Sequence, residues 1–497
     1  MGRDCILSID QGTTNTKALL VDRSGVPVYR ASDSVAIVTT TDGFTEQDPE
    51  LIWQSVAKVI TCSCEHAQAE GFSIQAIAIS NQRETALAWD RGTGRAAASA
   101  ISWQCSRGAE ICTRLGGRAE EIRAKTGLPL APLISATKWA WLLENDKAVQ
   151  NLNNARRLCL GTVDTWLIHK LTRGAVYATD FTNASRTGLL NLSALAWDHE
   201  ILDLFGISLE SLPKLRPSSF LLGYCRGIPE LDGVPVMSAI GDSHGAAFGH
   251  GHYAPGTIKA TYGTGSSLMA LTPSLVPDTP RLARTIAWSI GDLTQYALEG
   301  NIAMTGSAIQ WLGEFLGFTN PTLDLIALAA TVEDADGIFF VPAMVGLGAP
   351  YWDAQARGTI SGLSRHHSSA HLARAAVESI AFQVADVFFA MEAASSVHFI
   401  ELQTDGGATR NTSLMQFQAN ILDRPVLRAR NEELSALGAA WLSGLALGWW
   451  KSLHDLEALS HSADRFEPAF DAAQRDEKYL GWKMALSRML SDKAVPA

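Results

Sequence analysis

The sequence lacks an excess of positive charge. Its 40 lysines and arginines are outnumbered by 51 aspartates and glutamates, which gives a formal net charge of −11. Nucleic acids and anionic membranes attract basic patches, so this balance argues against both as partners. No run approaches the roughly 20 apolar residues that a membrane-spanning helix needs. The N-terminus also lacks a charged and then apolar leader.

Cysteine is scarce as well. The seven cysteines are an odd number without metal-ligand spacing, a usage that fits a reducing cytosol, so we expect a cytoplasmic protein. A composition of 47% hydrophobic and 18% charged residues is that of an ordinary globular protein. At 497 residues the chain is too long for one ordinary core, so we expect at least two domains.

Three short strings of aspartate, glycine and hydroxyl residues each follow an apolar run that predicts a buried strand. They are DQGTT at 10–14, GDSHG at 241–245 and GTGSS at 263–267. An aspartate at the end of a strand can hold Mg²⁺ or take a proton, and glycine N–H groups can approach a phosphate. With DGG at 405–407 as a fourth string, the pattern predicts a split nucleotide site built from both halves of the chain.

The second half of the chain repeats the opening of the first. Strands at 6–9 and 17–21 predict a hairpin around the first string, and a similar strand–turn–strand pattern begins at 258. The glycine-rich segment 249–256 predicts a domain break between them. We therefore expect an α/β protein with two related domains, residues 1–250 and 251–497, that face each other across a cleft.

Several segments predict helices. Asp48 is an N-cap candidate followed by a proline, and apolar residues then recur at helical spacing. The predicted apolar face of this helix comprises Leu51, Ile52, Val56, Val59 and Ile60. Longer helices are predicted at 369–393, 410–421 and 435–445.

Nearly the whole chain resembles the FGGY carbohydrate kinases, and among them most closely the glycerol kinases. Besides the strings above, blocks that match in family order are NQRET at 81–85, WQ at 103–104, SATK at 135–138, GTVDTWLI at 161–168, TDFTNASRT at 179–187 and GLGAPYWD at 346–353. The resemblance implies the actin-like (hexokinase/Hsp70-type) ATPase fold, in which two α/β domains are hinged over a nucleotide cleft. It also implies that Mg·ATP phosphorylates a small polyol or sugar.

The same resemblance assigns roles to residues of this sequence. Asp242 matches the general base, and Asp10 matches the residue that holds Mg²⁺. Lys17 stands where glycerol kinases typically carry arginine. Phosphate and nucleotide contacts are implied for Gly12, Thr13, Thr14, Lys17, Gly263, Thr264, Gly306, Gln310, Gly407 and Asn411. Substrate contacts are implied for Arg83, Glu84, Trp103, Leu133, Asp242, Ser243 and Ser267.

Three of the substrate positions depart from the glycerol kinases. Leu133 replaces a tyrosine, Ser243 a glutamine and Ser267 a phenylalanine. The pocket should therefore be roomier and carry new hydrogen-bonding capacity, which favours a tetritol, a pentitol or a short ketose over glycerol. Residues 226–233 also lack the Gly-Gly-Lys-Gly loop that binds fructose 1,6-bisphosphate in some bacterial glycerol kinases.

Two other interpretations stay open. One is a true glycerol kinase with a relaxed pocket, which competition between glycerol and longer substrates would reveal. The other is a non-catalytic ATP-binding module of the same fold, whose ATP turnover no substrate would accelerate. Members of the family are often dimers or tetramers, so a homodimer or a homotetramer is compatible with the resemblance.

Overall fold

Strands and helices alternate along most of the chain. The computed structural model describes residues 3–459 and 463–490. Its strands are β1 (Arg3–Gln11), β2 (Asn15–Asp22), β3 (Pro27–Ser34), β4 (Val38–Thr39), β5 (Thr45–Gln47), β6 (Phe72–Asn81), β7 (Leu87–Asp90), β8 (Ala100–Ile101), β9 (Leu158–Gly161), β10 (Ala178–Asp180), β11 (Leu190–Asn191), β12 (Ala196–Trp197), β13 (Lys214–Arg216), β14 (Ser219–Tyr224), β15 (Pro235–Gly241), β16 (Ile258–Tyr262), β17 (Ser266–Thr272), β18 (Ala283–Ile290), β19 (Leu293–Ile302), β20 (Phe339–Val341), β21 (Thr359–Ser361), β22 (Leu402–Asp405), β23 (Val426–Ala429) and β24 (Ala463–Phe466).

The α-helices lie between these strands, together with short 3₁₀ turns. They are α1 (Pro49–Glu70), α2 (Ala109–Arg114), α3 (Ala119–Thr126), α4 (Ser135–Asn145), α5 (Lys147–Asn154), α6 (Val163–Leu171), α7 (Phe181–Ser185), α8 (His199–Phe205), α9 (Asp242–Gly249), α10 (Gly306–Phe315), α11 (Pro321–Ala329), α12 (Ser369–Ser395), α13 (Thr412–Leu422), α14 (Leu434–Ala446), α15 (Leu453–Glu457) and α16 (Ala472–Ser487). Helices α12, α13 and α14 confirm the three longer helices that the sequence predicts. Among the described residues, no helix is long and apolar enough to cross a bilayer.

One mixed sheet of 13 strands runs through the molecule, in the order β24-β23-β22-β16-β17-β19-β18-β14-β15-β6-β1-β2-β3. In the first half, β1, β6 and β15 are parallel, and Gln11, Asn81 and Gly241 lie in register at their carboxyl ends. In the second half, β16 and β22 are parallel, with Thr261 opposite Asp405. Ligands bind beyond the carboxyl ends of parallel strands in open α/β sheets, so these two edges frame the site.

The two halves of the sheet meet at a narrow seam. Parallel pairing between β14 and β18 is limited to Ser219 and Ile290. Each half begins with the predicted hairpin, β1 with β2 and β16 with β17. The α/β architecture with two similar halves is therefore as expected, while the joining of both halves into one sheet is not visible in the sequence.

Helix α14 belongs to the second half but covers strands of the first. The Ser8 and Ser238 hydroxyls donate hydrogen bonds to the Ala436 and Ala439 carbonyls, at 2.6 and 2.8 Å. Where α14 passes α9, the backbones are so close that a Cβ atom on Gly438 would lie 2.0 Å from the carbonyl oxygen of Gly245. Glycine is required here by space, because any side chain would separate the two helices.

Helix α1 forms where the sequence predicts a helix that begins after Asp48. Asp48 caps it by accepting a hydrogen bond from the N–H of Glu50 at 2.8 Å, and Ile52, Val56, Val59 and Ile60 are buried. Leu51 is 43% exposed, so its assignment to the apolar face was wrong. It lies one residue before Ile52 and therefore points about 100° away from the buried stripe.

We predict that Gly438→Ala lowers the thermal unfolding midpoint by several degrees. The added methyl group has to push α14 away from α9, and overpacking of this kind costs about 1–3 kcal/mol. The matched control is Gly116→Ala, where a Cβ atom meets nothing within 4 Å. Equal midpoints for the two variants in differential scanning fluorimetry would contradict the close crossing.

Candidate active site

Two aspartates lie at the strand ends of the first half. Asp10 is next to last in β1, and the Ser80 hydroxyl from β6 donates a 2.8 Å hydrogen bond to its carboxylate. Asp242 follows β15 directly and begins α9. Burial and then the charge of Asp242 raise the pKa of Asp10 to about 6, so the two carboxylates are close enough to repel each other.

The hairpin turn next to Asp10 is fixed by side chains from other elements. The Trp103 indole N–H donates to the Thr13 hydroxyl at 2.9 Å, and the Gln47 amide donates to the Thr13 carbonyl at 2.8 Å. Thr14 is exposed, while Gly12 and Thr13 are half-buried. The turn between β1 and β2 is thereby tied by hydrogen bonds to Gln47 and to the partly exposed Trp103.

A buried carboxylate organises the charged residues around Asp242. Glu299, on β19, is fully buried and contacts two arginines: Arg83 at 2.8 Å and Arg186 at 2.7 Å. Burial alone would raise the pKa of Glu299, but Arg186 and Arg83 hold it below its ordinary value. Glu299 is therefore ionised, and it orients both guanidinium groups.

Each arginine in turn holds a second carboxylate. Arg83 Nε lies 3.2 Å from Asp242 Oδ1, and Arg186 Nε donates to Glu84 Oε1 at 2.6 Å. Asp242 keeps 39% of its side chain exposed, whereas Glu84 is almost fully buried. Burial raises the pKa of Asp242, and the charge of Arg83 opposes that shift. The open carboxylate is thus held in place and made more basic than an ordinary aspartate.

A second polar chain lines the other side of Asp242. The buried Lys259 ammonium donates to the Ser243 hydroxyl at 2.8 Å, and the Ser243 and Ser267 oxygens lie 3.3 Å apart. Ser267 donates to Glu299 Oε1 at 3.2 Å, which links this chain to the arginine network. Burial lowers the pKa of Lys259, and the nearby carboxylate of Asp405 opposes that shift.

Leu133 borders the same region, just before α4. Its carbonyl accepts a hydrogen bond from the buried Lys138 ammonium, which also donates to the Glu84 carbonyl at 3.3 Å. Burial lowers the pKa of Lys138 to about 7. Glu84 itself has a φ of 61°, and the hydrogen bonds from α4 to its carbonyl support this left-handed backbone.

The second half contributes a set of tight glycine turns. Gly306 and Ser307 N–H groups, at the start of α10, donate to the carbonyls of Gly263 and Thr264, both at 3.0 Å. A Cβ atom on Gly406 would lie 2.4 Å from the Tyr262 carbonyl oxygen, so the 405–407 turn rests against the end of β16. Gly263, Thr264 and Gly407 are exposed at this edge.

Protein partners also occupy the side chains of three further predicted nucleotide residues. Lys17 forms a 2.8 Å ion pair with Glu433, which also pairs with Arg30 at 2.9 Å. Gln310 is exposed on α10 and donates to Glu314, and Asn411 caps α13 by accepting from the Leu414 N–H. A phosphate contact by Lys17 would require it to share or leave Glu433.

The sequence interpretation did not assign Arg186, Glu299 or Lys259 to the site. Arg186 lies in the block 179–187, which matches the family without a role assigned to this residue. Glu299 and Lys259 lie within buried stretches of β19 and β16, and a charged residue in a buried strand is the signal that could have found them.

The pair of aspartates fits a divalent cation. Asp10 and Asp242 are oxygen ligands of the kind that Mg²⁺ prefers, and their mutual repulsion is the electrostatic cost that a bound cation removes. The turns at 12–14 and 263–265, one in each half of the chain, carry threonine hydroxyl groups and backbone N–H groups. The arrangement can therefore hold a phosphate chain with its cation next to a partly exposed carboxylate.

Comparison with known proteins decides the family. The model of the FGGY carbohydrate kinase N-terminal domain matches residues 5–249, and that of the C-terminal domain matches residues 258–447. The chain belongs to the FGGY family of carbohydrate kinases. It is 43% identical to a glycerol kinase of Paraburkholderia phymatum over 484 residues, 97% of each chain.

Solved structures agree with this assignment. A Plasmodium falciparum glycerol kinase crystallised with ADP superposes with a TM-score of 0.93 at 31% identity, and the match covers 99% of both chains. A ligand-bound xylulose kinase of Lactobacillus acidophilus gives a TM-score of 0.87 at 26% identity, covering 98% of this chain and 99% of that one. The predicted kinase fold is confirmed, and this FGGY protein is an ATP- and Mg²⁺-dependent phosphotransferase that acts on an alcohol group.

We predict that Glu299→Gln destabilises the protein by about 3 kcal/mol, because removing one partner from a buried ion cluster leaves charge uncompensated. The matched control is Glu432→Gln, which breaks an exposed pair with Arg410 and should cost at most about 0.5 kcal/mol. Chemical denaturation of both variants measures the difference.

The same variants give a pH test. The pKa of Glu299 is lower in the folded protein than its ordinary 4.5, so its contribution is complete above pH 4.5 and is lost only in stronger acid. The stability gap between wild type and Glu299→Gln should therefore stay constant from pH 5 to pH 8. A gap that shrinks within this range would mean that Glu299 is not held ionised.

Proposed function

We propose that this FGGY kinase transfers the γ-phosphate of ATP to a hydroxyl group of a small polyol, as a glycerol kinase does, with Asp242 as the general base. The proposal rests on one observation above all: Asp242 is a partly exposed carboxylate, oriented by Arg83 and raised in pKa, at the edge where β1 and β15 end. A base positioned in this way can take the proton of an attacking hydroxyl as the bond to phosphorus forms.

The other roles follow the same geometry. Asp10 would hold Mg²⁺, which neutralises charge on the transferring phosphate. Gly12, Thr13 and Thr14 would contact the γ-phosphate, and Gly263 and Thr264 the phosphates from the other side. The remaining nucleotide positions that we propose are Lys17, Gly306, Gln310, Gly407 and Asn411.

Substrate contacts would come from the first half of the chain. The Arg83 guanidinium can donate a hydrogen bond to a substrate hydroxyl group, and the Glu84 carboxylate can accept one from it. Trp103, 36% exposed, offers an apolar face to a carbon skeleton. The substrate pocket would be completed by Leu133, Ser243 and Ser267. These three residues favour a substrate larger than glycerol, either a polyol or a short ketose.

We also propose two domains, residues 1–250 and 251–497, with the substrate against the first and the nucleotide against the second. The separate family matches to 5–249 and 258–447 support this division. Closure of the two domains would exclude water, which could otherwise take the phosphate. A cytoplasmic location and a homodimer or homotetramer complete the proposal.

We expect Asp242→Asn to lower kcat at least about 1,000-fold, because an amide cannot accept the proton and general bases contribute roughly 10²–10⁴-fold. Binding of an ATP analogue, measured by calorimetry, should change little. The control is Asp203→Asn, an exposed aspartate on α8. Full activity of Asp242→Asn in an ADP-release assay would rule out the proposed base.

A further inference from the structure

The hydroxyl hydrogens of Ser243 and Ser267 are already donated in hydrogen bonds to other protein atoms. Lys259 donates a hydrogen bond to the Ser243 oxygen at 2.8 Å, so that oxygen accepts in this contact. At the other end, the Glu299 carboxylate can only accept, so the Ser267 proton goes to Glu299. The one proton left for the 3.3 Å contact between the serines is that of Ser243.

This chain of donors runs in a single direction, from Lys259 through Ser243 and Ser267 to Glu299. Each serine oxygen accepts one hydrogen bond and donates one, which leaves one lone pair on each. Both residues are only half-buried and lie beside the open carboxylate of Asp242. The two serines therefore present acceptors, and no hydrogen, to a molecule next to Asp242.

We propose that Ser243 and Ser267 form a subsite for a far hydroxyl group of a polyol with four or five carbons, which donates its proton to these two oxygens. The inference rests on the proposed function and narrows its substrate class. A hydroxyl group can donate a hydrogen bond to the serine oxygens and therefore fits. A carboxylate or a carbonyl at this position has only lone pairs, which are repelled by the lone pairs of the two serine oxygens. The subsite therefore selects polyols over the matching sugar acids and over ketoses with the carbonyl at this end.

The short side chains at both positions favour the same substrates. Both positions carry side chains shorter than the glutamine and phenylalanine of the glycerol kinases. An extra carbon with its hydroxyl would occupy the volume that these longer side chains take up. Glycerol would leave this volume to water.

The test compares substrates within each enzyme. ADP release is measured with glycerol, erythritol, D- and L-threitol, ribitol and xylitol for the wild type, Ser267→Phe, Ser267→Ala and the control Ser274→Ala. Ser274 is an exposed serine after β17. The readout is the ratio of kcat/KM for the best longer polyol to that for glycerol, which does not depend on the fraction of folded enzyme.

We expect a ratio of at least about 10 for the wild type and the control, since one good hydrogen bond is worth about tenfold. Ser267→Phe should lower this ratio at least tenfold by refilling the space. Ser267→Ala should lower it by a few-fold while keeping the fold undisturbed, so that one variant remains informative if the other unfolds.

Inhibition by a carboxylate tests separately whether the subsite accepts hydrogen bonds without donating any. Erythronate, which carries a carboxylate at one end, should inhibit the wild type at least tenfold more weakly than the best tetritol binds. Ser267→Ala frees the Ser243 proton and should strengthen erythronate inhibition. Tight inhibition of the wild type would overturn the acceptor-only subsite.

Failure of the subsite and failure of the proposed function look different. If glycerol is the best substrate and the Ser267 variants leave the ratio unchanged, the subsite is wrong while the kinase assignment stands. If none of the alcohols accelerates ADP release from the wild type, the polyol kinase function itself is overturned, and the subsite with it.

Discussion

The site depends on one buried carboxylate shared by two arginines. Glu299 lies on β19 in the second half of the chain, and its partners Arg83 and Arg186 lie in the first. A buried carboxylate is stable only when it is paired and hydrogen-bonded. The two halves of the chain therefore have to be packed together correctly for this contact to form. The same contact then orients Asp242 and Glu84 through the two arginines.

The remaining architecture brings these charges to one place. Parallel strands end together at each edge of the sheet, and each half places a glycine turn after its first strand. Helix α14 crosses α9 so closely that their backbones are in contact, and serines of β1 and β15 donate hydrogen bonds to carbonyls of α14. The glycine turns of the two halves thus extend from one continuous sheet, whose halves join at the narrow β14–β18 seam.

Local sequence signals predicted the parts of the site that short segments encode. Asp10, Asp242 and the glycine turns could be proposed from the sequence because each lies at the end of a buried strand or directly after it. The pairing of Glu299 with Arg83 and Arg186 could not, since burial and partners are set by strands far apart in the sequence. Lys17 illustrates the same limit: its charge is visible in the sequence, but its ion pair with Glu433 is not.

The most direct measurement is a crystal structure of the protein with Mg²⁺, a non-hydrolysable ATP analogue and the tetritol that it phosphorylates fastest. We expect one terminal hydroxyl on the carboxylate of Asp242, facing the γ-phosphate, and a far hydroxyl within hydrogen-bond distance of the Ser243 and Ser267 oxygens. A tetritol bound away from Asp242, or one whose far hydroxyl avoids both serines, would contradict the proposed site.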